Sequence, residues 1–402
     1  MKKVYLIGTG TNGTGSLTAD AAKAIEDSEL IVGATRMLEP YGDSGKELVN
    51  EYNPERTAEA IRNSKAQTAS VLFSGDTGFF SGAKKLLPLL DDMETVVLPG
   101  VSSFAAFCAK CGFSYENMKF ISLHGNDANI ALEVHMNRYC FFLLDNNNTV
   151  SSVCLRLLKY GDGFPGLRVY AGSELGYENE KIVSGSIPDL IGYSSEPLSV
   201  LVTDNPDYLK YIPSAIPDER FIRTKIPMTK AEVRSCAVAS LNIPHDGICW
   251  DIGSGTGSVS VEMAYRCPEG TVYSFDKNDE AIMLTCDNTR RFFCDNVRVY
   301  SGKCPECLEE MPAPDSVFIG GSTGKISEII SLVYRKNDNA CITATAVSVE
   351  TLAEATDAFR KAGRECSITQ IAVTRMKKVG SYTMPDAMNP VWIISGGKKC
   401  SE

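Results

Sequence analysis

The sequence has no long apolar run, only 3 histidines and 2 tryptophans in 402 residues, and fewer cations than anions. Each shortage closes a class of function. Without a stretch of roughly 20 apolar residues, nothing in the chain reads as a membrane-spanning helix. The start, MKKVYLIGTG, turns polar straight after VYLIG, too soon for the core of a secretory signal, so the expected compartment is the cytoplasm. A formal net charge of −10 argues against a nucleic-acid partner, because general nucleic-acid binders carry a broad basic face. His124, His135 and His245 do not cluster along the chain, and no metal signature stands out. The Gly-Lys-Ser/Thr of a phosphate-binding loop is also missing.

Cysteine is plentiful, at 14 residues. With no secretory signal these are expected to be reduced thiols. Cys108 with Cys111, and Cys304 with Cys307, have C-x-x-C spacing, but the pairs lie far apart and the first falls in the apolar helical run SSFAAFCAKCG. Buried or incidental thiols are therefore a simpler reading than a four-thiolate zinc site.

A 402-residue chain that is 44% apolar should form two or three domains with ample cores. VYLIG, a glycine-rich loop, the helical LTADAAKAIEDS and then ELIVGA make a first strand-loop-helix-strand unit. SVLFSGDTGFFSGAKKLLPLL and TVVLPGVSSFAAFCAKCG repeat it, and KFISLHG, YCFFLLDN, LRVYAGSELG and PLSVLVTDN add further strands. The fold class is α/β, with mostly parallel sheet and functional loops after strand ends. Proline and polar residues interrupt all periodicity in NPDYLKYIPSAIPDERFIR, which predicts domains at 1–212 and 213–402. The second half opens on a helix, where Thr229 and Glu232 have capping-box spacing and Val233, Ala237 and Leu241 share a face. GICWDI, TVYSFD, NVRVYSG, DSVFIGG and NACITATAVS then predict a doubly wound α/β domain.

Each half carries a glycine-rich loop, IGTGTNGTG at residues 7–15 and WDIGSGTG at 250–257. In the second, Gly253, Gly255 and Gly257 miss the dinucleotide fingerprint, whose third glycine would stand at Ser258. Asp251, set 4 Å from a pyrophosphate, would cost about 4 kcal/mol at an effective dielectric near 20. A cationic ligand suits it better. S-adenosylmethionine carries an ammonium and a sulfonium, and its carboxylate can rest on N–H groups of the turn formed by Gly253, Ser254, Gly255, Thr256 and Gly257. Asp276, at the end of TVYSFD, is placed to accept ribose hydroxyls. The plainer alternative is that both aspartates only cap helices. The first loop is the weaker signal, since ELIVGA runs into TRML with no acid for a ribose, and a tight turn explains it as well as a ligand does.

IGTGTNG, SGDTGFF at 74–80, LPGVSS at 98–103, SLHG at 122–125 and SELGYENE at 173–180 resemble the tetrapyrrole methylases of the corrin pathway. RTKIPMTKAEVR at 223–234, WDIGSGTGS and FIGGS at 318–322 resemble the corrin-pathway methyltransferase and decarboxylase. The resemblance covers nearly the whole chain. It implies a tetrapyrrole-methylase fold of two α/β subdomains followed by a Rossmann-like methyltransferase domain. It also implies one S-adenosylmethionine per domain, and methylation of a corrin precursor at carbons 5 and 15 with loss of a ring acetate as carbon dioxide.

Cofactor contacts implied in the second half are Thr229, Gly253 to Gly257, Asp276 and the turn Gly302 to Cys304. In the first half they are Asp76, Ser102, Ser103 and Leu144. Thr11 and Thr77 replace prolines usual in the first family, which is expected to lower cofactor affinity. Asn126 replaces a frequent arginine after SLHG, and Lys303 with Cys304 replaces Asp-Ala. A polycarboxylate substrate calls for cations, which Arg220, Arg223, Lys225, Lys230 and Arg234 can supply beside the second loop, unless they are only a solvated basic face. His124 is placed with the substrate too. A homo-oligomer is the expected assembly, although no interface is legible. The alternatives are an RNA methyltransferase, disfavoured by the acidic charge, and a corrinoid or S-adenosylmethionine sensor without turnover.

Overall fold

The computed structural model describes residues 1–194, 198–320 and 324–397. They form two compact units: residues 1–127, 138–158 and 166–206 in the first, and 128–137, 159–165 and 207 onward in the second. Segments 128–137, 159–165 and 207–212 thus group with the second unit although they lie within the expected first domain of 1–212. Burial explains the first of them. The helix Ile130–Met136 has Ile130, Ala131, Leu132 and Val134 essentially unexposed, Leu132 lies in one apolar cluster with Val259 and Phe318, and Asp295 accepts the N–H groups of Ala131 and Leu132 at 2.8 and 3.2 Å.

In the first unit, strands β1 (Lys3–Gly8), β2 (Leu30–Gly33), β3 (Glu47–Asn50), β4 (Thr68–Phe73) and β5 (Glu94–Leu98) make an all-parallel sheet in the order β3-β2-β4-β1-β5. β2 is buried along its whole length, as a parallel strand covered on both faces should be. Strands β6 (Met118–Ser122), β7 (Tyr139–Leu143), β8 (Arg168–Ser173), β9 (Lys181–Gly185) and β10 (Ser199–Asp204) form a second sheet, β6-β7-β10-β8-β9, in which only β6 and β7 are parallel. The expected mostly parallel sheet describes the first of these and not the second.

In the second unit, strands β11 (Ile248–Ile252), β12 (Thr271–Asp276), β13 (Val297–Ser301), β14 (Ser316–Ile319) and β15 (Cys341–Ala346) run parallel. Two further strands, β16 (Cys366–Ile371) and β19 (Val391–Gly396), complete the order β13-β12-β11-β14-β15-β19-β16, with β19 antiparallel to both neighbours. The order reverses between β11 and β14, the place where doubly wound sheets hold ligands. Between β16 and β19 the chain makes a separate two-stranded ribbon, β17 (Thr374–Val379) with β18 (Tyr382–Ala387). No helix among the described residues is long and apolar enough to cross a membrane.

The carboxyl ends of β1, β4 and β5 are pinned together by glycine. Gly10 and Gly75 exchange backbone hydrogen bonds of 2.9 Å in both directions, and a Cβ on Gly100 would sit 2.2 Å from Gly75 O and 2.5 Å from Gly8 O. Only bare backbone fits there. Gly100→Ala should therefore lower the unfolding free energy by about 1–3 kcal/mol in denaturant titrations. Gly192→Ala, with nothing within 4 Å of the new methyl, should leave the midpoint in place.

Candidate functional site

Each unit has a cavity at the carboxyl ends of its parallel strands. That of the first unit measures about 260 Å³ and is lined by Asp76, Ser102, Ser103, His124 and Leu144, all five of the residues singled out there from sequence. Asp76 ties two loops: its Oδ1 accepts Gly78 N–H at 2.8 Å and its Oδ2 accepts Gly100 N–H at 2.9 Å. Ser102 is the N-cap of the helix Ser103–Cys111, its hydroxyl accepting Ala105 N–H at 3.3 Å. Leu144 donates its N–H to Ser199 O at 3.2 Å, and its own O lies 3.4 Å from His124 Nδ1. Thr77, where a proline was expected, is buried and donates its hydroxyl to Leu98 O at 3.2 Å, so a hydrogen bond holds the loop in place of a ring. Thr11 lines the cavity, and Asn126 donates its side-chain amide to His124 O at 3.2 Å.

Two contributors escaped the sequence reading. Arg36, in the short helix after β2, lines the cavity on the segment that carries no acid for a ribose. Phe80, half-exposed beside it, has φ +46°, a left-handed backbone that L residues seldom adopt.

The second unit's cavity measures about 430 Å³. Gly253, Ser254, Gly255 and Thr256 line one side, Gly320 and Val347 follow β14 and β15, and Thr229 and Lys230 close it from the opening segment. Gly253, Gly255 and Gly257 have φ of +78°, +55° and +71°, so the turn needs glycine at alternate positions. Most of its N–H groups are already engaged: Gly253 and Ser254 with Phe275 O, Gly257 with Ser254 O, and Gly255 with Asp276 Oδ2 at 3.0 Å. Those four N–H groups therefore already have acceptors within the protein. The Thr256 hydroxyl, buried at the same turn, has no partner, and Ser258 and Val259 present the opening turn of the next helix. The second oxygen of Asp276 accepts Asn278 N–H at 3.0 Å, and Asp276, singled out from sequence as a cofactor contact, does not itself line the cavity but meets it through Gly255.

Other assignments change. Asp251 does not face the cavity. It is fully buried, its Oδ2 takes the Ser260 hydroxyl, and burial pushes its pKa up to about 7. Arg234 is fully buried as well and is no substrate ligand: its Nε donates to Glu262 at 2.7 Å and its Nη1 to Thr229 O at 2.6 Å, with Asp218 at 3.4 Å and Ile216 O also engaged. Arg223 and Lys225 are exposed and do not line the cavity, whereas Lys230 does. Arg220 lies over the Phe292 ring, 5.4 Å from its centre. Gly257 supports the turn by packing on Thr285. Gly302 donates to Asp276 O at 2.9 Å, and Cys304 is buried beside Cys307, neither lining the cavity. Lys303 is exposed.

The capping box is absent too. Lys230 is the N-cap of the helix Ala231–Ala239, Asp218 Oδ1 accepts Ala231 N–H at 3.0 Å, and Glu232 pairs with Arg375 at 2.6 Å. Val233, Ala237 and Leu241 are buried as their spacing requires. Gly321 and Ser322 of FIGGS lie outside the described residues. Residues missed from sequence are Val373, Met388 and Asn389, which flank the β17–β18 ribbon and line the cavity.

Residues 3–191 match the tetrapyrrole (corrin/porphyrin) methylases, and residues 221–396 match the precorrin methyltransferase domain. The chain is 42% identical over 188 residues to a probable cobalt-precorrin-6B C(15)-methyltransferase (decarboxylating) of Pyrobaculum calidifontis, covering 46% of this chain and 96% of that one. A protein of the same description from Sulfolobus acidocaldarius is 38% identical over 189 residues, 46% of this chain and 97% of its own. Among solved structures, a precorrin-6y C5,15-methyltransferase from Geobacter metallireducens GS-15 is 34% identical with a TM-score of 0.44, over 46% of this chain and 100% of that one.

Two measurements check the reassigned residues. Arg234→Met removes the one fully buried cation between Glu262 and Asp218, leaving them only the partly exposed Arg266 and Arg375, and should cost about 3–5 kcal/mol in denaturant unfolding, while Arg223→Met, on the surface, should stay within about 0.5 kcal/mol. Asp251 holds its proton more tightly folded than unfolded, so its contribution to stability falls as pH rises from about 4, the ordinary carboxylate value, to its folded value of about 7. Asp251→Asn should flatten that part of the stability–pH curve, and an unchanged slope would remove the assignment.

Proposed function

The chain belongs to the precorrin methyltransferase family, and from that premise we propose that its two cavities perform two S-adenosylmethionine-dependent C-methylations on one corrin precursor. The first unit methylates carbon 5. The second methylates carbon 15 and releases the ring acetate as carbon dioxide. The observation that carries this reading is that each unit has its own glycine-bounded cavity at the carboxyl ends of parallel strands, in a chain whose two stretches match two methylase models.

The second cavity fits a small ligand with polar groups at one end. An unpartnered, buried Thr256 hydroxyl stands at the glycine turn, and Asp276, which does not line the cavity but is bonded to its wall through Gly255, retains a lone pair on each oxygen beyond its single backbone bond. S-adenosylmethionine, when bound, supplies an activated methyl group on sulfur. For its amino-acid end the chain offers the Thr256 hydroxyl and the opening turn of the helix Ser258–Ala264, and for its ribose the Asp276 carboxylate. Phe318 and Val373 give the cavity apolar walls. Methyl transfer to a ring carbon asks for alignment and exclusion of water more than for a nucleophilic side chain, and these walls and the fixed turn provide both. The Lys230 ammonium meets one substrate carboxylate. As carbon dioxide leaves, its bonding electron pair passes into the conjugated macrocycle. In the first unit, the Arg36 guanidinium and His124 take the corresponding place beside Asp76 and Ser103, and arginine suits carboxylates through paired N–H donors.

The decisive measurement is the mass of the tetrapyrrole after the full chain is incubated with S-adenosylmethionine and a precorrin, with and without cobalt. Gain of two methyl groups and loss of one carbon dioxide is expected. Ser103→Trp, which obstructs the first cavity, should lose one methyl only, and Thr229→Trp, which obstructs the second, should lose the other methyl together with the decarboxylation. An unchanged substrate mass with cofactor bound to folded protein would sink the reading in favour of sensing.

A further inference from the structure

Two C-x-x-C pairs stand in the sequence, and the fold treats them differently. Cys108 is buried against Met118, 4.0 Å away, and burial raises its thiol to about 11. Cys304 and Cys307 instead bring their sulfurs to 3.4 Å, in the turn that follows β13. Cys304 is buried and Cys307 partly exposed. A backbone hydrogen bond closes the turn that carries them, Cys307 N–H donating to Lys303 O at 3.0 Å. Among the described residues no third histidine, cysteine, aspartate or glutamate joins them into a metal-holding group, so their shared chemistry is that of a dithiol.

We infer that Cys304 and Cys307 form a redox-active pair whose closure to a disulfide weakens ligand binding in the second unit's cavity. The path from sulfur to cavity is short. A Cβ on Gly302 would lie 2.8 Å from Cys307 Cβ, so these two residues are in tight contact. Gly302 N–H donates to Asp276 O, and Asp276 Oδ2 accepts the N–H of Gly255 on the cavity wall. Closing the sulfurs to about 2.05 Å shifts Cys307 against Gly302 and pulls on that chain.

The chemistry balances with a low-molecular-weight disulfide as oxidant. The Cys307 thiolate, held below its ordinary pKa by the Cys304 thiol beside it, attacks the oxidant and releases one thiol. Cys304 loses its proton, attacks the Cys307 sulfur of the mixed disulfide, and releases the second. Two protein thiols lose two electrons and two protons in all, and the oxidant is reduced to two thiols. Cys249 and Cys267, with sulfurs 3.9 Å apart, are both buried and out of the oxidant's reach.

The affinity effect rests on the proposal that this cavity holds S-adenosylmethionine, so the experiment reads the two separately. The full chain carrying Ser103→Trp is equilibrated in glutathione buffers of rising oxidised fraction. Peptide mass spectrometry after alkylation follows the thiols, and calorimetry follows S-adenosylmethionine. A Cys304–Cys307 crosslink is expected, with Cys249 and Cys267 still alkylatable after unfolding. Affinity should fall about tenfold and recover on adding dithiothreitol. Cys307→Ser should bind as the reduced protein does and ignore the buffer. Free thiols at 304 and 307 when the exposed Cys236 and Cys286 carry glutathione would overturn the inference, as would a crosslinked form of unchanged affinity. A crosslink in a protein whose reduced form binds no S-adenosylmethionine overturns instead the cofactor assignment, and with it the coupling.

Discussion

A guanidinium with no exposed surface must find its counter-charges and its acceptors inside the protein, and Arg234 finds them on separate stretches of the second unit. Glu262 comes from the helix after the glycine turn, Asp218 and Ile216 O from the segment ahead of the first helix, and Thr229 O from the cavity wall. Asp218 in turn caps that first helix through Ala231 N–H and reaches Arg375 on β17 at 3.0 Å. Desolvation offsets most of what such a buried network gains in Coulomb energy. Its effect is geometric: Thr229, the helix Ala231–Ala239 and the foot of the ribbon are all set in place from one cation.

Both cavities rest on a second shared device. At the first, a carboxylate just beyond β4 accepts a glycine N–H from the loop after β5, Asp76 to Gly100. At the other, the carboxylate ending β12 accepts a glycine N–H from the loop after β11, Asp276 to Gly255. Parallel strands leave their last loops without a partner of their own, and an acid at one strand end supplies the acceptor its neighbour lacks. Each acid keeps lone pairs beyond these bonds, so a residue that joins two loops can still accept a further hydrogen bond.

Much of this was legible from the chain itself. Strands such as VYLIG, ELIVGA, GICWDI and TVYSFD are compact apolar runs, and the glycine turns declare themselves because only glycine takes φ near +70° without strain. What escaped has physical reasons. Arg234 and Lys230 look equivalent in sequence, yet one is buried and the other lines a cavity, since burial is decided by partners such as Glu262, 28 positions away. Asp251 reads as a ligand for a cation, but its strand is central and both faces are covered. The Thr229–Glu232 box was a true spacing overruled when Arg375 captured the glutamate. Strands β3 and β9 are short edge strands, and β16 to β19 follow helices without the strand-loop-helix rhythm, so their contribution to the cavity wall had no local signal.

The β17–β18 ribbon is mostly exposed, with Met376, Val379, Tyr382 and Met384 open to solvent. Its root is the reverse: Met388 N–H closes on Val373 O at 2.9 Å, and both residues line the cavity. Evolution therefore meets two unequal surfaces on one short piece of chain. The tip can diverge freely, changing length or charge without touching the cavity, while the root is constrained by the pocket it walls.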